Sequence, residues 1–414
     1  MEPLLFLSHR IPFPPNKGDK LRSYRLLRFL SERYRVYLGS FIDVPEDIPY
    51  REEVLRYCAD IFIPELSPKI ARLTSLRGLL SGEALSLAYY RNGKMRRWID
   101  RCVREHGITK AVVFSSVMAQ YLRPHPRLRR VVDLVDVDSA KWTAYATEHD
   151  WPLSWLYARE GRRLLDFEQE AVASADASYL TTSAEVALLE RLAPQARNKV
   201  QVMANGVDAT YFSPDLTRVS PFEAGIEALV FTGAMDYWPN VDAVSWFAKE
   251  ILPKLRAARP ALRFYIVGMR PTDVVQALGN LQGVVVTGTV PDVRPYLQYA
   301  RLVVAPLRIA RGVQNKVLEA MAMEKAVVAS AACASGIGAM AGTEYEAAAD
   351  AGEFIVKILS LMESARLLTM GKAARARVLA DYDWERNLGP IQQALSGIGS
   401  GSDTEASPVL AASV

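Results

Sequence analysis

The chain has 414 residues, a net charge of +4 and only three cysteines, with half of its residues hydrophobic and 23% charged. That mix excludes a disordered or fibrous chain, and the length suits about two to three domains. Cys58, Cys102 and Cys333 stand too far apart for a disulfide framework or a cysteine zinc site, and His9, His106, His125 and His149 form no HExxH or Ser-His-Asp signature.

The chain opens on Met1-Glu2-Pro3, with an acid where a signal peptide needs a basic stretch, so the short apolar run Leu4–Ser8 reads as a first strand. Leu21–Arg33 reads as a helix. Further strands are expected at Val36–Phe41, Ala111–Phe114, Arg130–Leu134 and Ala177–Thr181. Ile70, Leu73, Leu76, Leu79 and Leu80 mark an amphipathic piece broken by Gly78 and Gly82, suited to a lid, a membrane-facing segment or a loosely packed surface helix. Met95, Trp98, Ile99, Cys102 and Val103 recur at helical spacing, ringed by Arg91, Lys94, Arg96, Arg97, Arg101 and Arg104. That pattern fits a core-packed helix with a solvated basic face, or a surface for anionic headgroups.

Asn205-Gly206-Val207-Asp208 is a turn signal, followed by a polar connection from Ser213 to Gly225. A second set of strands is expected at Ala228–Thr232, Leu262–Val267, Val284–Thr287, Leu302–Pro306 and Ala326–Ala329. Helices are expected at Val241–Leu255, Val293–Tyr299, Lys316–Met323 and Tyr345–Met362. The longest uncharged stretch, Ala326 to Thr343, is rich in small residues and reads as a buried strand with a loop, not a membrane span. Alternating strands and helices predict an α/β fold of two doubly wound, Rossmann-like domains facing across a cleft. We expect residues 1–205 to form an N-terminal domain and 206–396 a C-terminal one whose last helix can pack back on the first. Residues 397–414 read as a disordered tail. The basic excess lies in the first half, +6 against −2 in the second. No nucleic-acid motif accompanies it.

Ligands of such sheets bind at the carboxyl ends of strands, which directs attention to four loops. The first, Pro12 to Lys20, holds Lys17 and Gly18 before a helix start, with Asp19 as a candidate N-cap. The second carries Asp133, Asp136 and Asp138, able to orient hydroxyls or act as a base, with capping by Asp138 or Ser139 as the structural option; two Asp at this spacing are weak evidence for a metal. The third runs from Gly233 to Asn240, the latter a candidate N-cap. The fourth is the richest. Arg308, Arg311 and Gly312 precede Val313, Gln314 and Asn315, where a helix starts, and Lys316 and Glu319 follow within a turn. Free helix N–H groups with Arg311 and Lys316 suit a diphosphate, and Glu319 suits the hydroxyls of a ribose.

Gly312 through Ala322, with NKVLEAMAM, resembles the signature helix of the retaining, family-4 glycosyltransferases of GT-B fold. Phe231-Thr232-Gly233-Ala234-Met235, Ile266-Val267-Gly268, Thr287-Gly288-Thr289-Val290-Pro291-Asp292 and Asn205-Gly206-Val207-Asp208 match further segments of that family. The Phe13–Lys20 and Thr232–Asn240 blocks resemble a narrower group, the sugar transferases of PEP-CTERM/exosortase-linked exopolysaccharide loci. The resemblance implies an acceptor-side N-terminal domain and a nucleotide-sugar-binding C-terminal one, with Gly18 in the glycine loop facing the donor diphosphate and Lys17 and Gly233 as further candidates for donor binding. It also implies that Val290 meets the nucleobase through its backbone, that Arg311, Gly312 and Lys316 hold the diphosphate, and that Glu319 binds the ribose. Two positions depart from the family: Arg311 stands where many members carry the first Glu of E-x7-E, and Asp236-Tyr237-Trp238 replaces a basic residue after Gly233. No first-domain histidine is assigned to the reaction centre, and Asp136 or Asp138 is expected there.

The expected activity is metal-independent sugar transfer with retention. The donor is a UDP-, GDP- or dTDP-linked nucleotide sugar and the acceptor a glycan or a polyprenyl-diphosphate-linked glycan. No cofactor is expected. The chain is expected in the cytoplasm, with membrane-surface contact through the basic N-terminal half as an option. A nucleotide-sugar epimerase and a non-catalytic nucleotide-sugar binder are the rival readings.

Overall fold

The computed structural model describes residues 1–15, 18–310, 313–334 and 336–397. Two all-parallel sheets organise it. The first contains β1 (Pro3–Ser8), β2 (Arg35–Gly39), β3 (Asp60–Phe62), β4 (Lys110–Phe114), β5 (Arg129–Val135), β6 (Ala177–Leu180) and β7 (Val200–Val202), in the order β3-β2-β1-β4-β5-β6-β7. The second contains β8 (Glu227–Thr232), β9 (Leu262–Val267), β10 (Val284–Gly288), β11 (Leu302–Ala305), β12 (Val327–Ser330) and β13 (Glu346–Ala348), in the order β10-β9-β8-β11-β12-β13. Both orders are doubly wound, and they reverse between β1 and β4 and between β8 and β11. Apolar runs such as Leu4-Leu5-Phe6-Leu7 and Leu302-Val303-Val304-Ala305 are buried on both faces, as strands covered by helices on two sides must be. Among the described residues no helix is long and apolar enough to cross a membrane.

All ten expected strands are present, with ends shifted by a residue or two. The three strands the sequence hid, β3, β7 and β13, are three residues each, too short to show a period, and all lie at or next to a sheet edge. β13 corrects the expected Tyr345–Met362 helix. Glu346-Ala347-Ala348 pairs with β12, and the helix begins only at Ala351, where the Asp350 side chain accepts from the Glu353 amide. The local preference of an Ala/Glu run for helix yields here to an open strand edge. The expected Val241–Leu255 helix starts earlier, at Trp238, and contains a π-turn at Phe247–Ile251 before continuing to Ala258. Pro253 has no N–H to offer the Lys249 carbonyl, and a widened turn just before it accommodates the gap.

The last helix, Trp384–Ser396, belongs to the first domain by packing. Trp384, Leu388, Ile391 and Leu395 share one core with Leu4, Phe6, Leu26, Phe29, Val112 and Tyr179. Tyr179 Oη donates to the Pro390 carbonyl at 3.0 Å, and Arg129 donates to that of Ala394. The crossing point fixes Gly206, because a Cβ there would lie 2.7 Å from the Trp384 ring.

Candidate functional site

The two switch points bring the four loops to one interdomain cleft. A Cβ on Gly18, at the start of the Gly18–Ser31 helix, would lie 3.7 Å from Asn315 Nδ2 at the start of the Asn315–Ala322 helix, an ordinary contact. The helix starts of the two domains therefore oppose each other. Asn205 links them: its Nδ2 donates to Asn315 Oδ1 at 3.3 Å, while its Oδ1 accepts from Arg22 at 2.8 Å.

On the second-domain side, the backbone around Gly233 is hemmed in. A Cβ there would sit 2.8 Å from Asn240 Nδ2 and 3.2 Å from Lys316 Nζ, and one on Gly268 would strike the Gly233 carbonyl at 1.7 Å. Asn240 is not the cap of its helix. It lies in the first turn of the Trp238–Trp246 helix and joins the site, donating to the Ala234 carbonyl at 2.8 Å and accepting from Lys316 Nζ at 2.5 Å. The Lys316 ammonium also lies 4.2 Å from the centre of the Phe231 ring. No carboxylate forms an ion pair with it among the described residues. Burial lowers its pKa to about 8, with Cys333 and Glu319 opposing the fall. Burial likewise raises Glu319 to about 7 against the pull of Lys316. Gln314, which precedes the helix, caps none of its first-turn N–H groups through its side chain. Val313 and Val290 are half-buried against the second core, and Val290 follows Gly288, whose φ of 67° turns the chain after β10. Lys17, Arg311 and Gly312 lie outside the described residues. Arg308 is already bound to Asp242. Near Gly233, Asp236 pairs with Arg270 at 3.1 Å, so a basic group not singled out in the sequence stands beside this loop.

On the first-domain side, a cavity of about 330 Å³ is lined by His9, Tyr90, Phe114, Asp136, Asp138, Lys141 and others. Lys141 Nζ donates to both Asp136 and Asp138 at 2.9 Å, so these carboxylates share an ammonium. Asp136 also accepts from Thr181 at 3.2 Å. Asp133 serves the core instead: it is fully buried and bound by Arg22 at 2.7 and 3.2 Å. Asp138 opens a helix whose start is gripped from behind, with Glu168 accepting from the Ser139 amide at 3.1 Å and Glu185 from the Val137 amide at 2.8 Å. Neither Asp138 nor Ser139 caps it by side chain, and Asp19 binds Arg10 at 3.0 Å from within the first turn of its own helix. Two non-glycine residues with left-handed backbone, Ser115 and Val135 at φ 72°, line the cavity, and a β-branched residue there is strained. His9 was missed because four scattered histidines carry no motif. It follows β1, stacks on Phe114 with ring centres 5.8 Å apart, and lies 3.6 Å from Asp19. Its signal was position, directly beyond the carboxyl end of β1, at the point where the strand order reverses. Tyr237 of the second domain lies within electrostatic reach of Lys141 and Asp136, which sets the cavity opposite the Gly233 loop.

Residues 227–364 match the family model described as glycosyl transferases group 1. Nearly the whole chain superposes on solved structures. Sucrose-phosphate synthase from Thermosynechococcus elongatus aligns with a TM-score of 0.71 and 17% identity over 96% of this chain and 99% of that one. HepE from Anabaena in complex with UDP gives 0.67 and 16% over 96% and 100%. WaaG, a glycosyltransferase involved in lipopolysaccharide biosynthesis, gives 0.63 and 15% over 95% and 100%. The chain has the GT-B glycosyltransferase fold. The group 1 match covers most of its second domain, including Gly233, Asn240, Val290, Lys316 and Glu319. No curated protein matches the chain. In this GT-B frame the cleft described above is the space between the two Rossmann-like domains.

Proposed function

We propose that the chain moves a sugar from a nucleotide-sugar donor to a glycan or polyprenyl-diphosphate-linked acceptor with retention at the anomeric carbon. The observation that carries this reading is the Lys316–Glu319 pair. Two ionisable groups a turn apart at a helix start are both driven toward neutrality by burial, and a diphosphate and a ribose are groups whose charge and hydroxyls such a pair would meet. The donor diphosphate lies on that helix start against Gly233 and Gly18, held by Lys316 with Arg311, Gly312, Lys17 and the Val313–Asn315 backbone. Glu319 accepts from the ribose hydroxyls, and the Val290 backbone meets the base.

The bond from the anomeric carbon to the β-phosphate oxygen breaks, and charge gathers on that phosphate. Lys316 and the helix N–H groups stabilise it, joined by Arg311 as the sequence reading expects. The acceptor oxygen forms the new bond on the same face and its proton passes to the departing phosphate. Asp136 and Asp138, held by Lys141, orient the acceptor hydroxyls. This chemistry calls on no metal or cofactor. Nucleic acid is not a partner in it. Resemblance to exosortase-linked transferases favours a cytoplasmic role in bacterial exopolysaccharide synthesis, with contact to a membrane surface where a lipid-linked acceptor is anchored. The UDP and UDP-glucose complexes of HepE make UDP-glucose the first donor to try.

The test pairs thermal shift on UDP-, GDP- and dTDP-sugars with a coupled assay for released nucleoside diphosphate, with and without EDTA, using membrane extract as acceptor. Stabilisation by one donor and acceptor-dependent release that survives EDTA is expected. Binding without release in any extract would favour the non-catalytic binder, and no binding by any donor would overturn the reading.

A further inference from the structure

The first domain carries an apolar ledge that the folded chain leaves open. Along the helices Pro68–Ser75 and Arg77–Ser81 and the Leu76 that joins them, Ile70 is 64% exposed, Leu73 70%, Leu76 44% and Leu80 94%. Four exposed large aliphatic side chains within eleven residues are a local concentration, denser than the single exposed apolar residues normal for a surface. Lys69, Arg72 and Arg77 are exposed among them and form no ion pair among the described residues. From Leu66 to Gly82 there is no acidic residue, and the bracketing acids are engaged elsewhere, Glu65 with Arg51 and Glu83 with Arg91.

A second element extends the ledge. Arg159, on the Leu153–Ser174 helix, donates to the Gly78 carbonyl at 2.8 Å and to that of Glu83 at 3.1 Å. Trp155 is one turn earlier on the same helix face and is 51% exposed, and Trp151 just before the helix is 81% exposed. Aliphatic side chains interleaved with basic ones that form no ion pair among the described residues match the boundary between acyl chains and anionic headgroups, while Trp151 at the far end stands beside the exposed acids Glu148 and Asp150.

We propose that this ledge, and not the basic Gly93–Glu105 helix, seats the protein on an anionic lipid bilayer. The apolar stripe of that other helix (Met95, Trp98, Ile99 and Cys102) is buried in the first-domain core, which leaves it only charges to offer. The position is apt. The Leu85–Tyr89 helix packs on the ledge helices, and its Ser86 lines the first-domain cavity, so an acceptor anchored in the bilayer would reach the cavity mouth. The use of the ledge rests on the transferase reading, but its binding does not.

The experiment is flotation of the full chain with phosphatidylcholine vesicles, with and without 30% phosphatidylglycerol (about that fraction gives an anionic surface), and no donor present. Binding to the anionic vesicles alone is expected, weakening with salt. Leu73→Asp/Leu80→Asp should lower the bound partition at least ~10-fold, while Arg96→Gln/Arg97→Gln/Arg101→Gln should leave most of it. Both variants should keep the thermal shift given by UDP-glucose to the wild type, and a missing shift in all three proteins counts against the donor site alone. The proposal is overturned if the wild type does not float, or if Leu73→Asp/Leu80→Asp floats as well as wild type. It is equally overturned if that substitution turns a dimer into a monomer in gel filtration, since a second copy would then be the occupant.

Discussion

Lys316 and Glu319 set a narrow working range of pH. Lys316 holds its proton below about 8 and Glu319 loses its own above about 7, so the charged pair that suits a diphosphate and a ribose is best populated between them. Affinity for UDP-glucose, whose diphosphate does not titrate here, should fall above pH 8 toward about tenfold per unit and fall again below pH 7. Calorimetry across pH 6 to 9.5 checks this, and Lys316→Met should remove the alkaline limb while weakening binding by about 2 kcal/mol. Glu168 gives a separate pH effect, on stability. Burial raises it to about 8, with Asp138 adding to the rise, so the folded chain holds a proton that the unfolded chain releases from about pH 4.3 upward. Its stabilising contribution is complete at low pH and declines as pH rises through about 8. Melting temperatures should therefore drop less between pH 5 and 8 in Glu168→Gln than in the wild type. At Arg22 the concern is a buried charge. Its guanidinium satisfies Asp133, Asn205 and the Met203 carbonyl with almost no solvent contact. Arg22→Met leaves Asp133 unpaired and should cost about 3–5 kcal/mol in chemical denaturation, whereas the double change with Asp133→Leu should recover much of it.

Elements were legible where their pattern was long. Strands such as β1 and β11 announce themselves as runs of Leu, Val, Phe and Ala, because a parallel strand covered on both faces has few polar positions to break the run. β3, β7 and β13 were illegible, since a three-residue edge strand is made by its neighbour's free backbone and not by its own composition. The site followed the same division. In the fourth loop the closeness of Lys316, Glu319 and a helix start was legible because all three lie within one stretch of chain. The service of Asn240 to Lys316 was not, because it joins residues 76 apart in sequence. Nor were the roles of Asp133 and Asp136: their spacing is the same to either side of Leu134 and Val135, and only Arg22 and Lys141, from other elements, tell core from cleft. Close packing at strand ends gives an element-scale test. Gly268→Ala must push β9 away from the Gly233 carbonyl, and it should both destabilise the second domain and abolish the UDP-glucose shift. Gly107→Ala, which meets nothing within 4 Å, should leave that shift intact despite its own backbone strain at φ 61°.

Among the described residues, cross-domain ties of three different kinds hold the molecule together. Arg25 pairs with Asp208 at 2.7 Å, Asn205 bridges Arg22 to Asn315, and the last helix crosses back over Gly206. The first and last flank a cavity of about 630 Å³, lined by Arg25, Asp208, Arg375 and Trp384, behind the connecting segment. It is larger than the first-domain cavity but lies away from the Lys316–Glu319 pair. The relative movement of the domains is thereby confined to what the segment around Gly206 and the Asn205–Asn315 contact permit.

The returning helix also dictates an order of events when the protein is made. A ribosome delivers the first sheet complete by Val202, yet Leu4, Phe6, Phe29 and Tyr179 share a core with side chains that leave the tunnel almost two hundred residues later. For that interval the nascent first domain exposes an apolar face, while the second, begun after it, holds its own core within residues 207–382 and can close first. Chains cut short before Trp384 should therefore be seized by chaperones or proteases, although every strand of both sheets is present.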